Sequence, residues 1–282
     1  MSTKLPSRRI KKKLGTIFGY VLLAIILIWF VFPLYWTFAT SVKQKGEFFS
    51  SPPLLFSRQP TLKNYTEVFE DGSLIYLKNS IIAVTFSSLS AIVLGSLAAY
   101  GLARIKPSWS KKYALWVLSL RLFPPIAIIL PLFLMMKNLH LIDTYWSLIM
   151  VYTMFNLSFA VWILRAFFED IPSELDESAF LDGCSHLGVF FKIIIPITKT
   201  GILTTAIFCS IFSWNEFLFA TILTRSITKT FVVHVASYRG SQNLNLGAIS
   251  ALCILGTVPI ITLFLLTRRH FIRGITLGAI KD

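Results

Sequence analysis

The side chains that could do chemistry in this chain are few, and the densest group is a set of four carboxylates between two long apolar stretches. They are Glu174, Asp176, Glu177 and Asp182. Ser173 and Asp176 form an S-x-x-D start for a helix. Gly183 permits a helix exit with positive φ, and Pro196 ends a second apolar segment. The pattern predicts two short helices joined at a glycine.

A helix–glycine–helix segment of this kind has two candidate roles. It could lie on the membrane surface as an amphipathic element, or it could fit a groove on a protein partner. Anionic lipid favours Lys and Arg on a surface helix, whereas the first helix here is acidic. Helix-in-groove contacts use compact faces such as this one. We therefore interpret residues 174–196 as a docking element for another protein.

A second group of polar side chains lies inside apolar stretches. Arg121 would cost about 2.5–3.5 kcal/mol in a bilayer, so it must face water, a partner or the membrane interface. Pro124 and Pro125 follow it and must bend or break its helix, which frees carbonyl groups that can line a cavity. Such breaks often mark transport paths, although core packing tolerates them as well.

Asn215 and Glu216 form the other polar spot, between Trp214 and Phe217. A carboxylate at membrane depth needs a partner or a wet cavity. Two roles remain open for the pair: a place along a solute path or its gate, and a polar contact between subunits. The second role is slightly favoured for Glu216.

Other catalytic and metal-binding patterns are absent from the sequence. There is no G-x4-G-K-[ST] segment, so the chain has no nucleotide cradle of its own. Its four histidines and three cysteines show no ligand or redox spacing. We therefore expect no bound cofactor, no metal site and no enzymatic activity, with a lipid-modifying membrane enzyme as a weak alternative.

The composition of the chain predicts that the helices which position these residues span a membrane. Hydrophobic residues make up 55% and charged residues 14% of its 282 residues, and the mean hydropathy is +0.71. A spanning helix needs about 20 apolar residues. Six blocks qualify, at 15–38, 80–102, 114–136, 146–167, 202–223 and 246–267. The sequence predicts an all-α integral membrane protein with six transmembrane helices and the docking loop between the fourth and fifth.

The distribution of positive charge predicts the orientation of these helices. With the N-terminus inside, 17 of the 27 Lys and Arg residues lie on the cytoplasmic side and nine lie outside. The net charge of +14 thus reflects orientation and does not indicate a nucleic-acid partner. The expected organisation is a basic cytoplasmic N-terminus (1–14), a transmembrane domain (15–267) with its docking loop at about 168–201, and a cytoplasmic tail (268–282).

The docking segment resembles the EAA loop of ABC-transporter permeases, whose pattern is E-A-A-x3-G-x9-I-x-L-P. The spacing is kept over twenty residues, with Ser178 in place of the middle alanine and Ile195 in place of leucine. In that family the loop is a coupling helix that sits in a cleft of a separate ATPase. The resemblance assigns ATPase coupling to Glu177, Ser178, Ala179, Asp182, Gly183, Ile193 and Pro196.

Four other stretches are similar to the sugar-importing branch of this family, namely the second permease of maltose-type transporters. They are SLAAYGLARIK (96–106), LRLFPP (120–125), WNEF (214–217) and FIRGITLGAIKD (271–282). The resemblance implies a substrate that is a sugar or small oligosaccharide. A permease for another small solute, such as a polyamine or phosphate, and a secondary carrier are the alternatives.

The resemblance also implies a set of partners in a bacterial or archaeal inner membrane. These are a second homologous permease, two copies of a cytoplasmic ATPase that hydrolyses ATP, and an external substrate-binding protein. Alternating access would carry the sugar past the translocation-path candidates, which are Arg121, Pro124, Pro125, Asn215 and Glu216. The candidates for contact with the binding protein are Gln242, Asn243 and Asn245.

Overall fold

The computed structural model describes residues 7–105, 110–238 and 245–277, and all regular structure in these ranges is helical. Two short π-helical turns, Gly101–Ile105 and Phe190–Ile194, extend or connect α-helices. The α-helices are α1 Ser7–Ser41, α2 Lys63–Glu70, α3 Leu74–Tyr100, α4 Ser110–Leu122, α5 Pro125–Asn138, α6 Tyr145–Glu169, α7 Glu174–Leu181, α8 His186–Val189, α9 Ile195–Ile197, α10 Lys199–Trp214, α11 Leu218–Leu223, α12 Phe231–Tyr238 and α13 Leu246–Leu277.

Four continuous helical stretches are long and apolar enough to cross a membrane. They are Gly15–Ser41, Leu74–Arg104, Tyr145–Glu169 and Leu246–Thr267. Two further candidates are bent pairs: Leu115–Leu122 with Pro125–Asn138 at 92°, and His186–Ile197 with Lys199–Trp214 at 79°. The prediction of an all-α integral membrane protein is therefore confirmed, with four to six candidate spans.

Two of the predicted spans are interrupted rather than continuous. The block at 114–136 is divided because α4 ends at Leu122 and Pro124 has an extended backbone, with φ −60° and ψ 120°. Pro125 then starts α5, since the missing N–H of proline is tolerated at the first helical position. The block at 202–223 is divided at residues 215–217, between α10 and α11.

By its internal contacts the chain divides into two compact units, residues 1–71 with 242–255 and residues 72–241 with 256–282. In the first unit the buried Asn64 amide donates to the carbonyl oxygens of Ser41 and Lys43, at 2.9 and 2.8 Å. The side chains at 15–34 of α1 are exposed. A helix whose apolar side chains are exposed is suited to lipid or to another subunit.

The second unit is built on the close approach of α3 to α6. Ala91, Ala99 and Ala103 are fully buried at four-residue and eight-residue spacing. Gly95 continues this line, and a Cβ atom placed on it would lie 2.7 Å from Cβ of Ala160. Small residues at this spacing let two helix backbones approach closely. The pair α3 and α6 forms the frame against which the candidate sites are placed.

Asp143 fixes the turn that precedes α12, at the end of α6 away from the docking loop. Its backbone is left-handed, with φ 59°. Its carboxylate accepts hydrogen bonds from the backbone amides of residues 225–228 and from the Thr228 hydroxyl, at 2.9–3.2 Å. Burial acts to raise the pKa of Asp143, but these donors outweigh it and hold the pKa well below its usual range.

Replacing Asp143 with asparagine is expected to loosen this turn, because an amide offers one acceptor oxygen where the carboxylate offers two. We expect a loss of about 1.5 kcal/mol, the lower end for bonds to a charged acceptor, since the site is half-exposed. The carboxylate stabilises the fold only while ionised. The difference in unfolding free energy should therefore be constant above about pH 5 and shrink as the pH falls below about 4. Unfolding of the detergent-solubilised variants from pH 8 to pH 3 measures it, and an undiminished difference at pH 3 would contradict it.

Candidate functional site

The predicted helix–glycine–helix segment is present, and Gly183 is its joint. Gly183 has φ 83°, its amide bonds to the Phe180 carbonyl at 3.0 Å, and the Cys184 amide bonds to the Ala179 carbonyl at 2.9 Å. This pair of bonds is a Schellman motif, which ends α7 and turns the chain. The predicted glycine exit is therefore confirmed.

The predicted side-chain cap at the start of α7 is not formed. Ser173 has a helical backbone and makes no side-chain capping bond. Instead its carbonyl accepts from the amides of Asp176 and Glu177, at 3.0 and 3.1 Å. The S-x-x-D pattern therefore located the helix start correctly but assigned the wrong role to Asp176, whose carboxylate points to a different partner.

That partner is Arg104, at the end of the π turn that follows α3. Nε of Arg104 lies 2.8 Å from Oδ2 of Asp176, and the two side chains are only 9% and 7% exposed. Nη1 of Arg104 also donates to the Ile171 carbonyl at 3.0 Å. One guanidinium thus joins the end of a candidate span to both the first turn of α7 and the segment that leads into it.

This ion pair orients the elements that it joins more than it stabilises the fold. Burial raises the pKa of the Asp176 carboxyl, and the positive charges of Arg104 and His186 offset this only in part. The burial thus costs the carboxylate more free energy than its neighbours return. A buried ion pair of this kind is weak support for stability, but it fixes the direction of the elements that it joins.

The docking loop has one buried side and one exposed side. Ala179, Val189, Phe190 and Ile194 are buried in an apolar cluster with residues of α3 and α6. The exposed side combines acidic residues with apolar ones, and Leu181 is 90% exposed. Of the predicted coupling residues, Ala179 is buried and Ile193 is half-buried, whereas the following are exposed: Glu177, Ser178, Asp182, Gly183 and Pro196.

A cavity of about 210 Å³ brings together three of the five predicted path residues, namely Arg121, Pro125 and Glu216. Pro124 does not line it. Asn215 does not line it either, and its exposed amide donates to the Ile211 carbonyl at 2.8 Å. The cavity also contains polar residues that the sequence reasoning missed: Tyr152, Asn156 and Ser213. Tyr152 and Asn156 are four residues apart on α6, and this spacing on one helix face was the available signal.

Arg121 is held in this cavity by aromatic rings rather than by a carboxylate. Its guanidinium carbon lies 4.2 Å from the ring centroid of Phe212 and 5.1 Å from that of Phe159. Nη1 donates to the Phe155 carbonyl at 3.3 Å. Within the part of the chain that the structure describes, no carboxylate forms an ion pair with it. The guanidinium therefore keeps donors for a ligand.

Glu216 caps the first turn of α11. Its carboxylate oxygens accept from the backbone amides of Leu218, Phe219 and Ala220 at 3.1–3.2 Å. This satisfies amides that the break at 215–217 would otherwise leave without partners. The carboxylate thus has a partner within its own chain, a role that sequence reasoning did not consider.

Replacing Glu216 with glutamine is expected to lower stability by about 1 kcal/mol, because the amide is a weaker cap than the carboxylate. If the chain transports a solute, as the resemblance implies, uptake of a neutral one should fall only as far as the amount of assembled complex falls, because backbone amides already occupy the carboxylate oxygens. Both quantities can be measured on the same reconstituted preparation. A fall in uptake per assembled complex would instead assign the carboxylate a direct contact with the solute.

Of the three residues predicted to contact an external protein, Asn245 alone lies within the described residues. Gln242 and Asn243 lie outside the described residues. Asn245 is 6% exposed, its amide donates to Oε2 of Glu67 at 2.7 Å, and its Oδ1 accepts from the Ala248 amide at 3.3 Å. Asn245 is therefore the N-cap of α13, and its side chain is bound within the chain.

In the described residues no group of three or more His, Cys, Asp or Glu side chains is placed to hold a metal ion.

Comparison with known proteins tests the resemblance to ABC-transporter permeases. Residues 91–277 match the family described as "Binding-protein-dependent transport system inner membrane component". The chain belongs to this family. It is thus a multi-pass inner-membrane protein, and it is the permease component of an ABC transporter rather than its catalytic ATPase.

Curated relatives match this permease over almost its whole length. The trehalose/maltose transport system permease protein MalG of Thermococcus litoralis is 33% identical over 96% of this chain and 97% of that protein. The trehalose transport system permease protein SugB of Mycobacterium tuberculosis is 34% identical over 93% and 96%. The sulfoquinovosyl glycerol transport system permease protein SmoH of Agrobacterium fabrum is 31% identical over 93% of each chain.

A solved structure shares the fold of this permease. A chain of a bacterial ABC transporter involved in the import of the acidic polysaccharide alginate superposes with a TM-score of 0.77. The superposition covers 96% of this chain and 100% of that chain, at 20% sequence identity. The agreement supports the arrangement of helices and carries no information on the solute.

Proposed function

We propose that this permease is one of two transmembrane subunits of an ATP-driven importer for a sugar or small oligosaccharide. The observation that carries the proposal is the exposed acidic and apolar surface of the docking loop, held by Arg104 to the end of a long helix. The sugar class is supported by the names of the relatives at 31–34% identity. A polyamine or phosphate permease remains the alternative.

The proposed assembly contains a second homologous permease, two ATPase subunits and an external binding protein. The positive-inside distribution supports both termini and the docking loop on the cytoplasmic side, where an ATPase would meet them. The turn at Asp143 would then lie outside, together with Gln242 and Asn243. A related alginate transporter has been solved in complex with its pentasaccharide-bound periplasmic protein. That complex supports a binding-protein partner on the outer side here as well.

The proposed mechanism is alternating access driven by movement of the docking loop. Closure of the ATPase dimer on ATP would move the exposed side of α7, and Arg104 would pass the movement to the end of α3. The path for the solute would run past Arg121, Pro125 and Glu216, with Pro124 and Asn215 at the two breaks that border it. Interrupted helices of this kind supply flexible walls and free backbone groups along a path.

The first test is co-purification of the ATPase with the permease from a host that expresses all subunits. Leu181→Asp places a charge on the most exposed apolar residue of the docking loop, and Phe49→Asp, at 78% exposure, is the matched control. We expect the ATPase to be lost with Leu181→Asp and kept with Phe49→Asp. Equal retention by both variants, at equal membrane insertion, would contradict the docking role.

The second test identifies the solute. Uptake of labelled maltose, trehalose, a carboxylated disaccharide, phosphate and a polyamine is measured in proteoliposomes that contain the whole complex and its binding protein. ATP-dependent uptake of one of these sugars supports the proposal. If phosphate or a polyamine is taken up and no sugar is, the solute class is wrong while the importer remains.

A further inference from the structure

The cavity beside Arg121 contains more polar groups than its role as a gap between helices requires. Tyr152, Asn156 and Ser213 are only 3–4% exposed, and all three line the cavity together with Arg121 and Glu216. We infer that this cavity binds the hydroxyl groups of the transported solute, so that this subunit contacts the sugar directly. The inference rests on the proposed function.

The hydrogen-bonding groups of the cavity are only partly used within the chain. The Asn156 amide donates to Ser213 Oγ at 2.7 Å and to the Cys209 carbonyl at 3.3 Å. The buried Tyr152 hydroxyl has no hydrogen-bond partner among the described residues. Arg121 donates once to the protein and has five N–H donors in all. Donors and acceptors are therefore both left for a ligand.

Unsatisfied buried groups of this kind are costly without a ligand. A buried hydroxyl without a hydrogen-bond partner is unfavourable, so an unpaired one requires an explanation, such as a ligand that supplies the partner. In a transporter, a solute that passes through the cavity can supply the missing partners. The unpaired Tyr152 hydroxyl thus points to a site that is completed during transport.

The composition of the cavity favours an uncharged polyol over an anion. Arg121 alone would attract an anionic group, but the carboxylate of Glu216 lines the same cavity and opposes it. Phe155, Phe212 and Phe219 line the remaining wall. Aromatic rings suit the apolar faces of a sugar ring, while interleaved donors and acceptors suit its hydroxyl groups. The ligand class is therefore a neutral sugar.

The position of the cavity fits a site that opens and closes. Pro125 lies at the break between α4 and α5, and Glu216 lies at the break between α10 and α11. Both residues line the cavity. A change in either bend would therefore alter the cavity wall, which an alternating-access site requires.

The test removes one oxygen atom from the cavity and one from a matched place elsewhere. Tyr152→Phe deletes the unpaired hydroxyl at the cavity, and Tyr100→Phe deletes another buried, unpaired hydroxyl that does not line it. Because neither hydroxyl has a hydrogen-bond partner among the described residues, removing either one should leave the protein as stable as before or more stable. Binding of labelled sugar is measured on the whole complex trapped with vanadate, next to the affinity of the isolated binding protein.

The expected result is a three- to tenfold loss of sugar affinity in Tyr152→Phe, or about 0.6–1.4 kcal/mol, which is the size of one net hydrogen bond. Tyr100→Phe should bind like the unchanged complex, and both variants should unfold no earlier than it does. Equal affinity in the two variants, or tighter trapping of a carboxylated sugar than of its neutral counterpart, would overturn the inference. If the unchanged complex takes up no sugar at all, the proposed function fails instead, so the two failures are distinguishable.

Discussion

Replacing Arg104 with methionine is expected to lower the unfolding free energy of the permease by about 3–5 kcal/mol, because it leaves the Asp176 carboxylate buried without its partner. Asp176 is 7% exposed on its side chain, so water cannot take the place of the guanidinium. The start of α7 should then detach from the end of α3. ATPase stimulation by the sugar-loaded binding protein should fall at least tenfold.

A double variant separates stability from coupling. Arg104→Met with Asp176→Leu replaces the ion pair by apolar side chains, a change that is often neutral or stabilising at buried sites. We expect this variant to regain its unfolding free energy. Stimulation should stay low, because methionine cannot reproduce the 2.8 Å contact to α7 or the 3.0 Å bond to the Ile171 carbonyl.

The measurement is a comparison of three preparations reconstituted at equal amounts: the unchanged complex, the single variant and the double variant. A matched control is Arg165→Met, which removes the i,i+4 pair with Glu169 near the end of α6, where the Glu169 side chain is 38% exposed. Because water can reach the carboxylate that is left behind, the loss should be only about 0–1 kcal/mol, and the control should change little. Full stimulation in the double variant would show that Arg104 acts through packing alone.

The helix–glycine–helix segment was predictable because its signals are local. An acidic first turn, a glycine at the helix end and a proline at the end of the second apolar segment each act within a few residues. The positive φ at Gly183 and the bounds of α7 follow from such signals. The long apolar blocks were predictable for the same reason, since spanning length depends only on consecutive residues.

The contacts that give the segment its function were not predictable, because they join distant parts of the sequence. Arg104 and Asp176 meet only because α3 and α6 pack closely at small residues and bring their ends together. In the sequence, Arg104 lies just after the predicted span at 80–102, and Asp176 was assigned to a helix start. Similarly, Glu216 was weighed as a path or subunit contact, whereas its carboxylate accepts from the three amides that follow the break in its own helix.

The interruptions within the spans were predictable only in part. Pro124 and Pro125 predicted a bend, but the position of the bend relative to Arg121 decides whether a cavity forms. The structure puts Arg121 on one side of the break and Pro125 on the other, both on the cavity wall. Tyr152 and Asn156 complete that wall from α6, and no local pattern relates them to a proline in another helix.

Gly183→Val is expected to reduce ATPase stimulation about tenfold, whereas Gly183→Asn should retain most of it. A left-handed backbone costs an ordinary L-residue about 1–2 kcal/mol, more for a β-branched side chain, while asparagine tolerates it. Gly183 has φ 83°, and a Cβ there would meet no atom within 4 Å. Valine and asparagine therefore differ in backbone strain and not in steric room within this chain.

This pair of variants distinguishes the shape of the loop from the contact that it makes. If the Schellman turn is needed to hold α7 against the ATPase, valine should weaken ATPase co-purification and asparagine should not. If a side chain at this position instead collides with the partner subunit, both variants should fail alike. If both variants keep the ATPase stimulation of the unchanged complex, the direction of the exit from α7 is unimportant. The loop would then couple through its exposed residues alone, independently of the turn that Gly183 makes.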